Sequence, residues 1–156
     1  MSESLAGALE REHREIDEGI EAFMATRERN EHDAAPLVRA MDALRRHIYL
    51  EEELLFPPLR SAGLMAPVFV MLREHGEMWT TLDAIEALLG QDPKSASVAE
   101  LCDELVARLD AHNAKEEAIL YPQADPTLSG SVGVELKAFL DSGRMPDGWV
   151  CERART

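Results

Sequence analysis

One stretch of the chain is written twice. His47-x-x-x-Glu51-Glu52-x-x-Leu55-Phe56-Pro57 reappears as His112-x-x-x-Glu116-Glu117-x-x-Leu120-Tyr121-Pro122. A shorter pair precedes each copy, Arg11-Glu12-His13-x-Glu15-Ile16 and Arg73-Glu74-His75-x-Glu77-Met78. The chain therefore reads as two related halves of two segments each. A fold with that internal symmetry places equivalent residues around a common centre.

All four segments have helical spacing. The first runs from about Ser4 to Arg29, with Leu5, Leu9, His13, Ile16, Ile20 and Phe23 in steps of three and four on one stripe. Asn30 to Asp33 is polar and reads as a turn. The second starts near Asp33 as N-cap, with Pro36 tolerated in its first turn. Its stripe is Leu37, Ala40, Leu44, His47, Glu51 and Leu54, and Pro57-Pro58 is expected to end it. The third spans about Pro67 to Leu89, with Val68, Leu72, His75, Trp79, Leu82 and Ile85 inward and Gly90 closing it. The fourth opens with a Ser97/Glu100 capping box, carries Leu101, Leu105, Leu109, His112, Glu116 and Ile119, and is expected to stop at Pro122. Short connections between long helices imply antiparallel neighbours. The expected fold is all-α, an up-down-up-down four-helix bundle over residues 1–122. Residues 123–156 are set apart by Pro126, Pro146 and four glycines. A short helix near Val132 to Leu140 is expected there, with the rest, Trp149 included, packing over one end of the bundle or trailing as a partly ordered tail.

Composition agrees with helices and narrows the partners. Hydrophobic residues make up 46% of the 156 and aromatics 5%, enough apolar side chain for one core and few of the residues strands favour. The net charge of -14 repels phosphate backbones and anionic lipid, so no nucleic acid or membrane partner is expected. The longest apolar run, Ala66 to Leu72, is far short of a spanning helix. The N-terminus lacks the basic-then-apolar pattern of a secretion signal. Cys102 and Cys151 are far apart and form no CxxC pair, which suits a reducing, cytoplasmic setting.

Counting from the turns fixes heights within the bundle. Asn30 lies 17 positions after His13 and 17 before His47. Asp92 lies 17 after His75 and 20 before His112, and Gly63 lies 12 from both Glu51 and His75. With a rise of about 1.5 Å per residue, equal offsets put antiparallel residues at one level. Four inward histidines, with Glu51 and Glu116 a turn along, therefore converge on one layer. Buried carboxylates are costly unless paired or bound to metal. Imidazole and carboxylate together suit iron, with manganese or zinc as other candidates. The expected ligands are His13, His47, Glu51, His75, His112 and Glu116. Two ions fit better than one, because two bridging carboxylates with two histidines per ion leave positions open. His32 belongs to the polar turn. Glu52, Glu53, Glu117, Glu12, Glu15, Glu74 and Glu77 read mainly as solvent-facing, some able to orient imidazoles from behind. Phe56, Tyr121, Met78 and Trp79 read as the wall of the site, Tyr121 also being able to donate a hydrogen bond to a bound ligand.

The order His13, His47-x-x-x-Glu51, His75, His112-x-x-x-Glu116, with Leu-Phe-Pro and Leu-Tyr-Pro following, resembles the hemerythrin-like HHE cation-binding domain over about residues 5–122. The resemblance implies a non-haem di-iron centre, its two irons bridged by Glu51, Glu116 and an oxo or hydroxo group. It also implies a small diatomic ligand, oxygen or nitric oxide. Oxygen-carrying hemerythrins have a histidine where this chain has Trp79, and HisxxxxAsp where it has His112-x-x-x-Glu116, with Glu117 in the Asp place. Those departures leave room for a redox enzyme acting on peroxide or oxygen, or for an iron donor or iron-homeostasis protein. The ferritin-like di-iron proteins need Glu-x-x-His on two helices. Here that spacing occurs at Glu10 and His13 but not upstream of His47, His75 or His112.

Overall fold

The four apolar stripes come together as four long helical segments with a short helical return at one end. The computed structural model describes residues 3–155, so residues 1, 2 and 156 of the expected segments lie outside it. In order come α1 (Leu5–Glu28), α2 (Ala35–Leu50), a π turn (Glu51–Leu55), α3 (Phe56–Ser61), α4 (Met65–Gln91) and α5 (Ala96–Lys115). A second π turn (Glu116–Leu120), a 3₁₀ turn (Tyr121–Gln123), α6 (Ala124–Thr127), α7 (Ser131–Ser142) and a 3₁₀ turn (Glu152–Ala154) complete the chain. The fold is all-helical, 82% helix without a strand among the described residues, as expected. No described helix is long and apolar enough to cross a membrane.

Local chemistry sets the helix starts. Ser4 caps α1 through its side chain, which accepts from Gly7 N at 2.9 Å, and the Asp125 carboxylate accepts from Leu5 N and Ala6 N. Helix α2 begins two residues after the expected cap: Ala34 is the N-cap, and Asp33 instead accepts from Ala35 N. Ser95, not Ser97, caps α5. Gly90 does not close α4, which continues through it to Gln91. Asn30 and His32 take left-handed φ values of 61° and 53° to make the α1–α2 turn. Gly19 brings α1 against α2; a Cβ there would sit 2.8 Å from the Ala40 Cβ.

The prolines do not end the helices where expected. A proline in an α-helix lacks the N–H and clashes with the carbonyl four residues back. Here each repeat widens into a π turn just before its proline. Phe56 N bonds Glu51 O, and Tyr121 N bonds Glu116 O, five residues back. Pro57 and Pro122 then fall in the first turn of the next helical piece, where no donor is needed. The extra residue rotates the register. Leu55 and Leu120 are fully buried, whereas Leu54 is half-buried and Ile119 is 46% exposed, against their expected inward places.

The core is in two parts. One apolar cluster gathers Ile16, Ile20, Phe23, Leu44, Ile48, Leu82, Ile85, Leu105 and Leu109 toward the α1–α2 and α4–α5 turns. The other gathers Leu9, Leu55, Phe56, Leu59, Val68, Leu120, Tyr121 and Leu136 at the opposite end. Each buried Leu or Ile contributes about 1.5–3 kcal/mol relative to exposure. The layer of histidines and glutamates lies between the two.

Candidate metal centre

The structure brings all six expected residues into that layer. His47, Glu51, His75, His112 and Glu116 are 0–3% exposed and His13 is 3% exposed. His13 and His47 face each other with ring centroids 4.8 Å apart, and His75 and His112 at 5.0 Å. Possible ligand atoms of His13, His47, Glu51 and Glu116 all lie within 4.8 Å of one another. The same holds for Glu51, His75, His112 and Glu116. The two groups share their carboxylates and differ in their histidines. His32 stays in the turn, its Nε2 2.9 Å from Asn30 Oδ1.

The two carboxylates span the two groups differently. Glu51 gives Oε2 to His47 Nε2 at 3.3 Å and Oε1 to His75 Nε2 at 3.2 Å. Glu116 Oε1 lies 3.2 Å from both His13 Nε2 and His112 Nε2. Its other oxygen, Oε2, is buried with no hydrogen-bond partner among the described residues. Both glutamates are the first residue of a π turn, a widening often found at functional sites.

Behind each imidazole stands a second carboxylate. His13 Nδ1 is 2.9 Å from Glu117, His47 Nδ1 2.9 Å from Glu12, His75 Nδ1 2.7 Å from Glu52 and His112 Nδ1 2.9 Å from Glu74. An ionised carboxylate only accepts, so each Nδ1 is assigned a proton, and each Nε2 faces the centre. The pattern follows the repeat. Glu12 and Glu74, each just before His13 or His75, serve His47 and His112 on the neighbouring segment, and Glu52 and Glu117, each just after Glu51 or Glu116, serve His75 and His13. So Glu12, Glu52, Glu74 and Glu117 take the imidazole-orienting place, one of their two expected roles, rather than the solvent-facing one. Glu15, Glu53 and Glu77 remain outside it, in pairs with Arg11, Trp149 and Arg108. Glu117 stands behind His13 and Glu116 stands inside, which separates their roles.

The wall residues divide as well. Phe56 stacks on His75 (5.5 Å, 18°) and Tyr121 on His13 (5.3 Å, 27°). The Tyr121 hydroxyl is not wall but centre. It donates to Glu51 Oε2 at 2.6 Å and lies 2.9 Å from His13 Nε2 and 3.0 Å from His47 Nε2. The two halves are therefore chemically unequal at this one place. Trp79 turns toward Arg45 (5.3 Å) and the edge of Trp149 (5.7 Å).

The charges are strongly coupled. Burial would lower the histidine pKa values, but the facing carboxylates outweigh it. His47 is raised well above its usual range by Glu51 and Glu12, and His75 is raised by Glu51 and Glu52. His112 is pushed up to about 10 by Glu116 and Glu74. Glu51 is held well below the carboxylate range, burial notwithstanding, chiefly by His47. Hydrogen bonds from His112 and Lys115 take Glu74 down to about 2 against its desolvation. Burial and the negative charges of Glu116 and Glu51 push the Tyr121 phenol up, so it keeps its proton.

Searches for similar chains among curated proteins and among solved structures gave no match. The family model described as the hemerythrin HHE cation binding domain matches residues 4–124, a span that contains every inward histidine and glutamate of the layer. The chain belongs to the hemerythrin HHE cation-binding domain family.

Proposed function

We propose that this domain holds two iron ions, one at each histidine pair, and binds a small diatomic ligand, oxygen or nitric oxide, for sensing, storage or delivery. The observation that carries the reading is the convergence of four buried imidazole Nε2 atoms on two shared carboxylates. The donor set fits: a carboxylate oxygen buried without a partner, Glu116 Oε2, is costly in a purely structural network and is suited to a cation. His13 and His47 would hold one ion, His75 and His112 the other, with Glu51 and Glu116 reaching both. Iron so held would supply open coordination positions and reversible redox chemistry. The chain's own residues do the rest. Glu12, Glu52, Glu74 and Glu117 fix the imidazole tautomers, and the two apolar clusters keep bulk water from the layer.

A second reading, a redox enzyme turning over peroxide or oxygen, is favoured by one observation. Tyr121 keeps a buried O–H at one of the two ion positions. A proton donor at that place suits reduction of such substrates better than simple carriage.

One experiment separates the readings. The purified protein is loaded with ferrous iron, its metal counted per chain, and its spectra recorded without air and after oxygen, nitric oxide or peroxide. A reversible adduct supports binding, and sustained peroxide loss supports catalysis. Fewer than about one iron per chain after loading, or unchanged metal content in His47→Ala and Glu116→Ala, would overturn the di-iron assignment.

A further inference from the structure

The family match ends at residue 124, but the chain continues in ordered form to Arg155. This extension does not trail, and it reaches along the side of the bundle to the level of the histidines. Helix α7 packs Leu136 and Leu140 into one apolar cluster, and Cys151, fully buried, enters the other. Between them an aromatic row runs from Phe139 to Tyr49 (5.3 Å), Trp149 (5.1 Å) and Trp79 (5.7 Å).

Two links tie the extension to the carboxylates behind the histidines. The first is Arg46. Its guanidinium donates to the carbonyls of Phe139, Leu140 (3.1 Å) and Gly143 (2.9 Å) at the C-terminal end of α7, where helical carbonyls run out of backbone partners; Phe139 O also accepts from Gly143 N. The same guanidinium donates to Glu12 Oε2 at 2.9 Å, and Glu12 Oε1 holds His47 Nδ1. The second is Glu52. Its Oε1 accepts the backbone N–H of Glu152 at 2.9 Å while its Oε2 holds His75 Nδ1. Trp149 Nε1 donates to the adjacent Glu53 at 3.1 Å. The tail also has a fitted seat. Gly76, next to His75, faces Arg153, and a Cβ there would lie 2.7 Å from the Arg153 Cβ. The other two rear carboxylates, Glu74 and Glu117, have no hydrogen bond to the extension among the described residues.

We infer that the extension, residues 131–155, is a positioning strap. It fixes Glu12 through Arg46 and Glu52 through the Glu152 amide, and thereby orients one histidine at each ion position, His47 and His75. Its docking sets how fast each ion leaves. The inference rests on the two-ion reading above.

Two variants test it without touching a histidine or an inner glutamate. Arg46→Ala cuts the α7 link, and Gly76→Ala pushes the tail from its seat. In an unstrained helix Gly→Ala would tighten the chain, so a loosened site after Gly76→Ala has the opposite sign to the helix effect. Each protein is loaded with ferrous iron, and release to an excess of a ferrous chelator is followed. The expected result is release of one ion about tenfold faster in each variant, the scale typical of lost support behind a ligand. Paramagnetically shifted ring N–H resonances provide the second readout. Arg46→Ala should move the His47 signal alone, and Gly76→Ala the His75 signal alone, a selectivity that general loosening would not produce. Wild-type release rates in both variants, or equal disturbance of all four signals, would overturn the strap. A wild-type protein that takes up no iron would instead defeat the underlying di-iron reading.

Discussion

Removing one oxygen atom tests whether the centre of this layer is organised as described. Tyr121→Phe deletes the hydroxyl that donates to Glu51 at 2.6 Å and touches His13 and His47. Phe56 holds the equivalent place in the other half, stacked on His75, so a phenyl ring packs there without strain. The loss is then mainly that of a buried hydrogen bond to a charged acceptor, about 2 kcal/mol. For a domain of this size that corresponds to a drop in Tm of roughly 4–8 °C in metal-stripped protein. The hydroxyl uses the same Glu51 oxygen that an ion would use. Deleting it weakens the metal-free state more than the loaded one, so the Tm deficit should shrink when iron is bound. By linkage, iron affinity should rise by up to about 30-fold, the equivalent of 2 kcal/mol. Thermal melts followed by circular dichroism, with and without iron, and an anaerobic iron titration provide the measurements. A metal-stripped variant melting at or above wild type, or an equal deficit in both forms, would refute this account of Tyr121.

Other perturbations separate the rear carboxylates, the charges and the packing. Glu12→Gln and Glu74→Gln should each weaken iron binding by about 10–100-fold, whereas Glu15→Gln and Glu77→Gln should leave it within about twofold, as read by chelator competition. The metal-stripped fold should be most stable between about pH 4.5 and 6.5. His112, raised from 6.5 to about 10, contributes stability fully below 6.5 and loses it as pH climbs through 10; Glu74, lowered from 4.5 to about 2, contributes above 4.5 and loses it as pH falls toward 2. Denaturant midpoints across pH report this window, and a maximum above pH 8 would contradict it. Gly19→Ala should lower stability by about 1–3 kcal/mol through the 2.8 Å approach to Ala40, despite alanine's helix preference; a gain in denaturant midpoint would show that α1 and α2 can part cheaply.

Much of the site was legible because a bundle turns sequence spacing into height. Offsets from Asn30, Gly63 and Asp92 were enough to bring His13, His47, His75 and His112 to one level. The prolines misled, because the expected stop at Pro57 and Pro122 presumes a regular α-helix upstream. The π turns absorbed the misfit, and the resulting rotation exchanged Leu54 and Ile119 for Leu55 and Leu120. The rear carboxylates were not legible from any single helix, since Glu12 serves His47 on the neighbouring segment. A signal did exist. Glu-His at 12–13 and 74–75 and Glu-Glu at 51–52 and 116–117 are repeated in the two halves, and repeated pairs occupy equivalent places. Tyr121 opposite Phe56 was the one difference inside the longer repeat that put a hydroxyl where its partner has none. The strap was hidden because Arg46 and Gly76 look ordinary until their distant partners are known.

The split core has a consequence for cooperativity. A polar layer crosses the interior of the bundle, so the apolar cluster near the turns and the one near α3, α6 and α7 are separated there by charged groups and joined beside it by the aromatic row from Phe139 to Trp79. Without metal, each half is free to open as its own unit, and amide exchange should report two opening free energies rather than one. Iron clamped by residues from all four segments would weld the halves into a single cooperative block. The metal would then serve the chain as keystone as well as reagent.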